Sequence, residues 1–510
     1  MMRLGVALLF LVAVVLFTGS IGESPSFLLI VAAMIGGYMA MNIGANDVAN
    51  NVGPAVGSKA LSLMGAIIIA AIFEAAGAII AGGEVVGTIR KGIIDPSMVT
   101  DLNTFIWLMM AALLAGAIWL NLATAVGAPV STTHSIVGGV LGAGIAAGGW
   151  AIANWSKMGA IAASWVISPV MGGAIAAFFL YVIKRTITYR DDMIAASKKM
   201  VPLLVSIMAW AFGSYLVMKG LKKIWKVDII TALGVGFGIA VAIFFIVRPL
   251  IAKVADKYEN SKVSVNRLFT IPLIFAAALL SFAHGANDVA NAIGPLAAIN
   301  DAITTLTEGG EVINKKASIP LWVMIIGAVG ISIGLALYGP KLIRTVGTEI
   351  TELDQMRAFC VAMAAAITVI IASQLGLPVS STHIAVGGVF GIGFLREYLK
   401  ASYARMVDDI KSHHPEDDQA AIDKFVNEFE TASIDEKGKM LRRLKAKAKA
   451  DKDKAHFTKR ERKQLRKVYR QELVKRSHLM RIAAAWVITV PATAALSAML
   501  FFMIRGIMLP

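Results

Sequence analysis

Two carboxylates and two runs of hydroxyls carry the chemistry of this chain. Asp47 lies in GANDVANNVGP (44–54), and Asp288 lies in GANDVANAIGP (285–295), each set among asparagines in an otherwise apolar stretch. A carboxylate inside a membrane is costly and by default marks a functional site. On a helix, Asp47 and Asn50 would share a face, as would Asn46 and Asn50. Asn287, Asp288 and Asn291 repeat the pattern. Gly44 and the Gly53-Pro54 pair flank the first motif, as expected where a helix is interrupted. Such oxygens, beside backbone carbonyls freed by the interruption, suit a hard monovalent cation. The bland alternative is a polar cluster that caps a broken helix; two near-identical copies argue against it.

The hydroxyls come in PVSTTH (129–134) and PVSSTH (378–383). Ser131, Thr132 and Thr133 match Ser380, Ser381 and Thr382. Proline suits the first turn of a helix and Ser/Thr its N-cap. A helix N-terminus with free N–H groups and nearby hydroxyls can hold an oxyanion. None of the four motifs contains Lys or Arg. An oxyanion bound there would share its site with Asp47 and Asp288, and that much buried negative charge needs compensation. Cations arriving with the anion would supply it, which is a physical argument for symport.

Glu74 lies in an apolar run, and at an offset of 257 the second half of the chain has Ile331. Glu74 reads either as a third cation or proton site or as a hydrogen-bonding strut between helices. Gln374 precedes the second hydroxyl run and could line the site. His134, His284 and His383 read more readily as interhelical hydrogen-bond donors than as proton relays.

These residues must be positioned by membrane-spanning helices. Of 510 residues, 57% are hydrophobic and only 16% charged, against about 25% charged in soluble proteins. Stretches such as Thr104 to Ser156 and Ala358 to Leu395 contain no charged residue at all. A helical span needs about 20 apolar residues. Thirteen hydrophobic elements are expected, centred near residues 11, 35, 71, 115, 139, 171, 210, 238, 276, 329, 367, 387 and 493. A single cysteine, Cys360, excludes an intrachain disulfide framework.

The chain repeats itself. The Asp/Asn motifs agree at nine of eleven positions with an offset of 241, and the hydroxyl motifs at eleven of sixteen with an offset of 249. A weaker pair, Trp165 to Pro169 against Trp486 to Pro491, has an offset of 321, so about 72 residues are inserted in the second copy. Counting crossings inverts one copy relative to the other. The expected fold is therefore an all-α polytopic membrane protein of inverted-topology repeats, with broken or re-entrant helices meeting at a central site. The expected units are an N-terminal anchor or signal-like segment (1–25), repeat 1 (26–185), linking helices (186–267), the first part of repeat 2 (268–395), a charged insertion (396–481), and a last helix (482–510) that completes repeat 2. The first segment lacks an Ala-x-Ala site, which favours an anchor over a cleaved signal.

The insertion holds 24 Lys+Arg against 15 Asp+Glu. It reads as a solvated loop, with anionic lipid or a partner as the functional alternative; nothing but charge suggests nucleic acid. The loops Lys184 to Lys199 and Arg248 to Arg267 carry five Lys+Arg each and fall on the same face as the insertion. That balance makes this face cytoplasmic and leaves the C-terminus outside.

The paired motifs resemble those of the inorganic phosphate transporter family, sodium- or proton-coupled phosphate carriers. The resemblance covers roughly Ser26 to Pro510 apart from the insertion. Thr88 to Asp95, with Glu74 upstream, is similar to the branch that uses sodium. The resemblance implies import of inorganic phosphate by symport, with Na+ as the leading coupling ion and H+ or a metal-phosphate complex as alternatives. It implies phosphate ligands at Asp47, Ser131, Thr132, Thr133, Asp288, Ser380, Ser381 and Thr382. Na+ ligands are implied at Asn46, Asp47, Asn50, Asn287, Asp288 and Asn291. It further implies a homodimer in the cell membrane and no cofactor. A related sulfate permease is the rival among transporters. A membrane-embedded enzyme is a remote rival, because no nucleophile, base or metal-ligand set is evident. The extra N-terminal element and the position of the large loop depart from the family pattern.

Overall fold

A computed structural model describes residues 2–21, 26–99, 101–128, 130–220, 227–310, 319–349, 353–411 and 476–508. Pro129 and most of the charged insertion lie outside the described residues. Within them the chain is helical, because only a helix satisfies every backbone group of a single segment in a bilayer. Each of the thirteen expected elements is a helix.

The first half contains α1 (Met2–Gly19), α2 (Phe27–Asn46), α3 (Ala49–Gly57), α4 (Leu63–Ala81), α5 (Gly83–Lys91), α6 (Leu102–Val126), α7 (Thr132–Gly148) and α8 (Trp155–Ile183). Linking helices α9 (Met193–Gly220), α10 (Ile229–Ala255) and α11 (Lys262–Leu268) follow. The second half contains α12 (Thr270–Asp288), α13 (Ala290–Thr307), α14 (Leu321–Glu349), α15 (Gln355–Gln374), α16 (Ser381–Lys411) and α17 (Arg476–Met508). Among the described residues, eleven helices, counting α2 with α3 and α12 with α13 as single spans, are long and apolar enough to cross a membrane. At 17 residues α7 is shorter than a full span, and it starts at buried Ser131 and Thr132, inside the protein.

The first helix break falls between Gly44 and the Gly53-Pro54 pair, as expected, but at neither of them. The helix α2 stops at Asn46, Asp47 and Val48 stay in the right-handed region, and α3 resumes at Ala49. Pro54 lies inside α3. The second break is the single turn at Val289. Gly44 serves packing instead. A Cβ there would stand 1.9 Å from the Ile331 carbonyl oxygen on α14. Its counterpart Gly285 would meet the Glu74 carbonyl oxygen on α4 at 2.2 Å. Only glycine permits these approaches.

Such crossings exchange partners between the repeats: α2 packs on α14 and α4 on α12, while α7 packs on α17 and α8 on α16. Glycines within α7, α8 and α16 make the second set. Gly142 faces the Ala494 carbonyl oxygen, and Gly391 faces that of Gly173, each at 2.1 Å from a would-be Cβ. Two further equivalent glycines turn the chain into the hydroxyl motifs. Gly127 (φ 77°) ends α6 and Gly376 (φ 63°) follows α15, both in the left-handed region that closes helices.

Candidate functional site

The breaks in α2–α3 and α12–α13 bring Asp47 and Asp288 against the N-termini of α7 and α16. All four segments are buried there. Asp47 accepts one hydroxyl from each repeat: Thr132 Oγ1 at 2.5 Å on Oδ2 and Thr382 Oγ1 at 2.6 Å on Oδ1. Asp288 accepts Ser381 Oγ on Oδ2 at 3.2 Å. The asparagines one turn on cross between repeats. Asn50 Nδ2 donates to Thr382 Oγ1 at 2.8 Å, and Asn291 Nδ2 donates to Thr132 and Thr133 at 3.0 and 3.2 Å. The site therefore exists only where the two repeats meet.

Several sequence-expected ligands have structural duties. Asn46 braces the approach to α7, donating to Thr124 Oγ1 and the Ala128 carbonyl and accepting from Val130 N. Asn287 does the same before α16, donating to Ser373 Oγ and the Leu377 carbonyl. Ser131 and Ser380 cap their helices by accepting from the His134 and His383 N–H groups. Thr133 donates to the Val379 carbonyl. Gln374 ends α15, and its Nε2 is buried with no hydrogen-bond acceptor, so nothing ties it to the aspartates. His134 and His383, equivalent residues, meet edge to face with centroids 4.4 Å apart, and Trp165 lies 3.8 Å from His134.

The sequence reading left Glu74 and His284 open, and the structure joins them. His284 Nδ1 is 2.7 Å from Glu74 Oε2, and its Nε2 is 2.8 Å from Asp288 Oδ2. Asn51 Nδ2 donates to Glu74 Oε1 at 2.7 Å. Each ring nitrogen faces a carboxylate oxygen, so a neutral imidazole between two ionised carboxylates would lack one donor. The group therefore accommodates one extra proton.

Asn51 was not among the expected ligands. Its repeat counterpart is Ala292, that of His284 is Ile43, and that of Glu74 is Ile331. Three departures from the repeat thus form one hydrogen-bonded group. Comparing the two copies for polar-against-apolar mismatches would have found it.

One oxygen each from Asp47 and Asp288 and one ring nitrogen from His284 lie within 4.8 Å of one another. Around them, Asp288 Oδ1 and the side-chain oxygens of Asn50, Asn51, Asn287 and Asn291 are buried and accept no hydrogen bond. Oxygens left without donors are what a hard cation coordinates. The hydroxyls of Thr132, Thr382 and Ser381 each have one proton, here given to an aspartate, and would donate to an oxyanion by turning away from that carboxylate.

The sequence profile of the phosphate transporter family matches residues 43–497. The chain belongs to that family. Among its members, a Helicobacter pylori J99 protein with the provisional name phosphate permease is 54% identical over 507 residues, covering 98% of this chain and 94% of its own. A Pyrococcus abyssi protein with the same provisional name is 39% identical over 382 residues, 75% of this chain and 92% of its own. A solved structure, named as the sodium-dependent phosphate transporter, superposes with a TM-score of 0.76 at 31% identity, covering 95% of this chain and all of that one.

Proposed function

We propose that this chain imports inorganic phosphate by symport with Na+. One observation carries the reading. Two buried aspartates from opposite repeats share a cluster of hydroxyls, which can turn from the carboxylates to an oxyanion, and of donor-free oxygens suited to cations. Phosphate would take hydroxyls from Thr132, Thr133, Ser381 and Thr382, with Ser131 and Ser380 holding the helix ends in place. Asn50, Asn291 and the two aspartates would hold Na+, while Asn46 braces its loop. Membership of the family supports phosphate, and the name of the structural neighbour supports sodium. The chemistry is carriage, with no bond made or broken.

Proton coupling is the second reading, favoured by His284 between Glu74 and Asp288. Uptake of radiolabelled phosphate into proteoliposomes separates the two. An inward Na+ gradient is expected to drive accumulation, and a pH gradient alone is not. Accumulation driven by the pH gradient without Na+ would transfer the coupling to protons. No accumulation under either gradient would sink the symport reading.

On the same proposal the chain works as a homodimer in the cell membrane. Its segment 396–481 is cytoplasmic and its C-terminus outside, as the Lys+Arg balance of the loops suggests.

A further inference from the structure

Between α15 and α16 the chain runs without a helical ladder. The Ser380 carbonyl begins the next one by accepting Ile384 N. The four carbonyls before it must find other donors. Each takes a side chain, and each side chain comes from a different helix. Thr88 Oγ1 of α5 donates to the Gly376 carbonyl at 2.7 Å, and Asn287 Nδ2 of α12 to that of Leu377 at 3.4 Å. Trp165 Nε1 of α8 donates to the Pro378 carbonyl at 3.1 Å, and Thr133 Oγ1 of α7 to that of Val379 at 2.9 Å. Thr88, Pro378 and Val379 are buried. The Trp165 ring lies against His134, with centroids 3.8 Å apart.

Three of these donors, Thr88, Trp165 and Thr133, belong to repeat 1. The loop they hold leads directly into Ser380, Ser381 and Thr382 of repeat 2. The asparagine brace recurs in the other copy as Asn46 on Ala128. Thr382, the equivalent of Thr133, donates to Asp47 instead.

We propose that Thr88 and Trp165 are positioning residues for phosphate, which reach across from repeat 1 and set the place of the Ser381 and Thr382 hydroxyls. They act through the backbone of 376–379. The inference rests on the phosphate reading of the site. Without its Thr88 donor the Gly376 carbonyl turns elsewhere, and the loop carries the hydroxyls with it. Binding must then draw the loop back, so the lost hydrogen bond reappears as weaker binding.

The test measures Na+-driven uptake into proteoliposomes against phosphate concentration. Thr88→Val keeps the shape of the side chain and removes the hydroxyl. It is expected to raise the phosphate KM roughly 5- to 150-fold and to leave the maximal rate within about threefold. Thr88→Ser keeps the hydroxyl and should return KM to within about threefold of wild type. Trp165→Phe, which keeps a ring against His134 and loses the N–H, should raise KM as Thr88→Val does, and carries the test if Thr88→Val does not fold. Thr307→Val removes a hydroxyl bonded within its own helix, at Ile303, and should change nothing.

A second readout needs no phosphate. Amide hydrogen exchange across 376–384 should speed up in Thr88→Val and recover in Thr88→Ser. Thr88→Val with a wild-type KM overturns the proposal whatever its exchange, as does a raised KM that Thr88→Ser fails to restore. If wild type itself carries no phosphate, the transport reading fails and exchange alone decides the brace: faster and then recovered upholds it, unchanged overturns it.

Discussion

Replacing each site aspartate by asparagine removes one charge and little volume, yet the structure expects the two substitutions to differ. Asp288 accepts both of its partners on Oδ2, and its Oδ1 accepts none. An asparagine there can set its carbonyl oxygen where Oδ2 was and its NH2 where Oδ1 was, so both contacts keep their geometry and lose only the charge of their acceptor. Asp47 uses both oxygens, Oδ1 for Thr382 and Oδ2 for Thr132. Asparagine at 47 must turn its NH2 toward one threonine and forfeit a hydrogen bond to a charged acceptor, about 1.5–3 kcal/mol. Asp47→Asn should therefore melt lower in detergent than wild type, while Asp288→Asn melts close to it. On the proposed Na+ symport, both lose a carboxylate contact to the cation. At about 1.4 kcal/mol per tenfold, that weakens Na+ roughly 10- to 150-fold and abolishes coupled uptake at ordinary Na+. The assays are unfolding curves and the Na+ dependence of phosphate uptake in proteoliposomes. A well-folded Asp288→Asn protein with wild-type Na+ half-saturation would refute the reasoning, as would a larger loss of stability at 288 than at 47.

Other outcomes follow from the same structure. Replacing about 72 residues within 397–478 by a short polar linker should leave uptake largely intact, since repeat 1 makes the same connection without them; loss of uptake by a correctly inserted deletion would make the segment part of the machinery. Gly285→Ala drives a methyl into the Glu74 carbonyl oxygen and should destabilise by about 1–3 kcal/mol, whereas Gly234→Ala, with open space around it, should be neutral in the same melting assay. Arsenate should compete with phosphate uptake and sulfate should compete poorly. Near neutral pH a phosphate P–OH can donate to a carboxylate, while sulfate offers acceptors only; equal competition by sulfate would overturn the substrate assignment.

Much of this site was legible in the sequence because it is written twice. Near-identity of the two Asp/Asn motifs and of the two hydroxyl motifs exposed the repeat, and the repeat implied inversion. What the sequence hid has physical causes. The break at Asp47–Val48 keeps right-handed backbone throughout and needs no glycine or proline, so the flanking glycines and proline bracket it without marking its residues. Gly44 reads as the flank of a helix interruption, yet it and Gly285 are also contact points, because nothing local tells which backbone arrives from afar. Ser131 and Ser380 look like their neighbours, but position makes them caps. Glu74 stood out as a departure from the repeat, but its partners Asn51 and His284 did not, because nothing local in the sequence joins helices that meet only in the fold.

The glycine crossings have a mechanical consequence. Where backbone lies on backbone, no side chain remains to be compressed or to change rotamer, so such a joint neither slides nor spreads easily. The helices α2 and α14 then behave as one girder and α4 with α12 as another, while α7 with α17 and α8 with α16 form the opposing pair. Alternating exposure of the aspartates should come from these girders rocking past each other, with the bending confined to Asp47–Val48 and Val289. Spin labels on α2 and α14 should keep one separation with and without Na+ and phosphate, and labels on α2 and α8 should not. A change within the α2–α14 girder would show that its crossing is no weld.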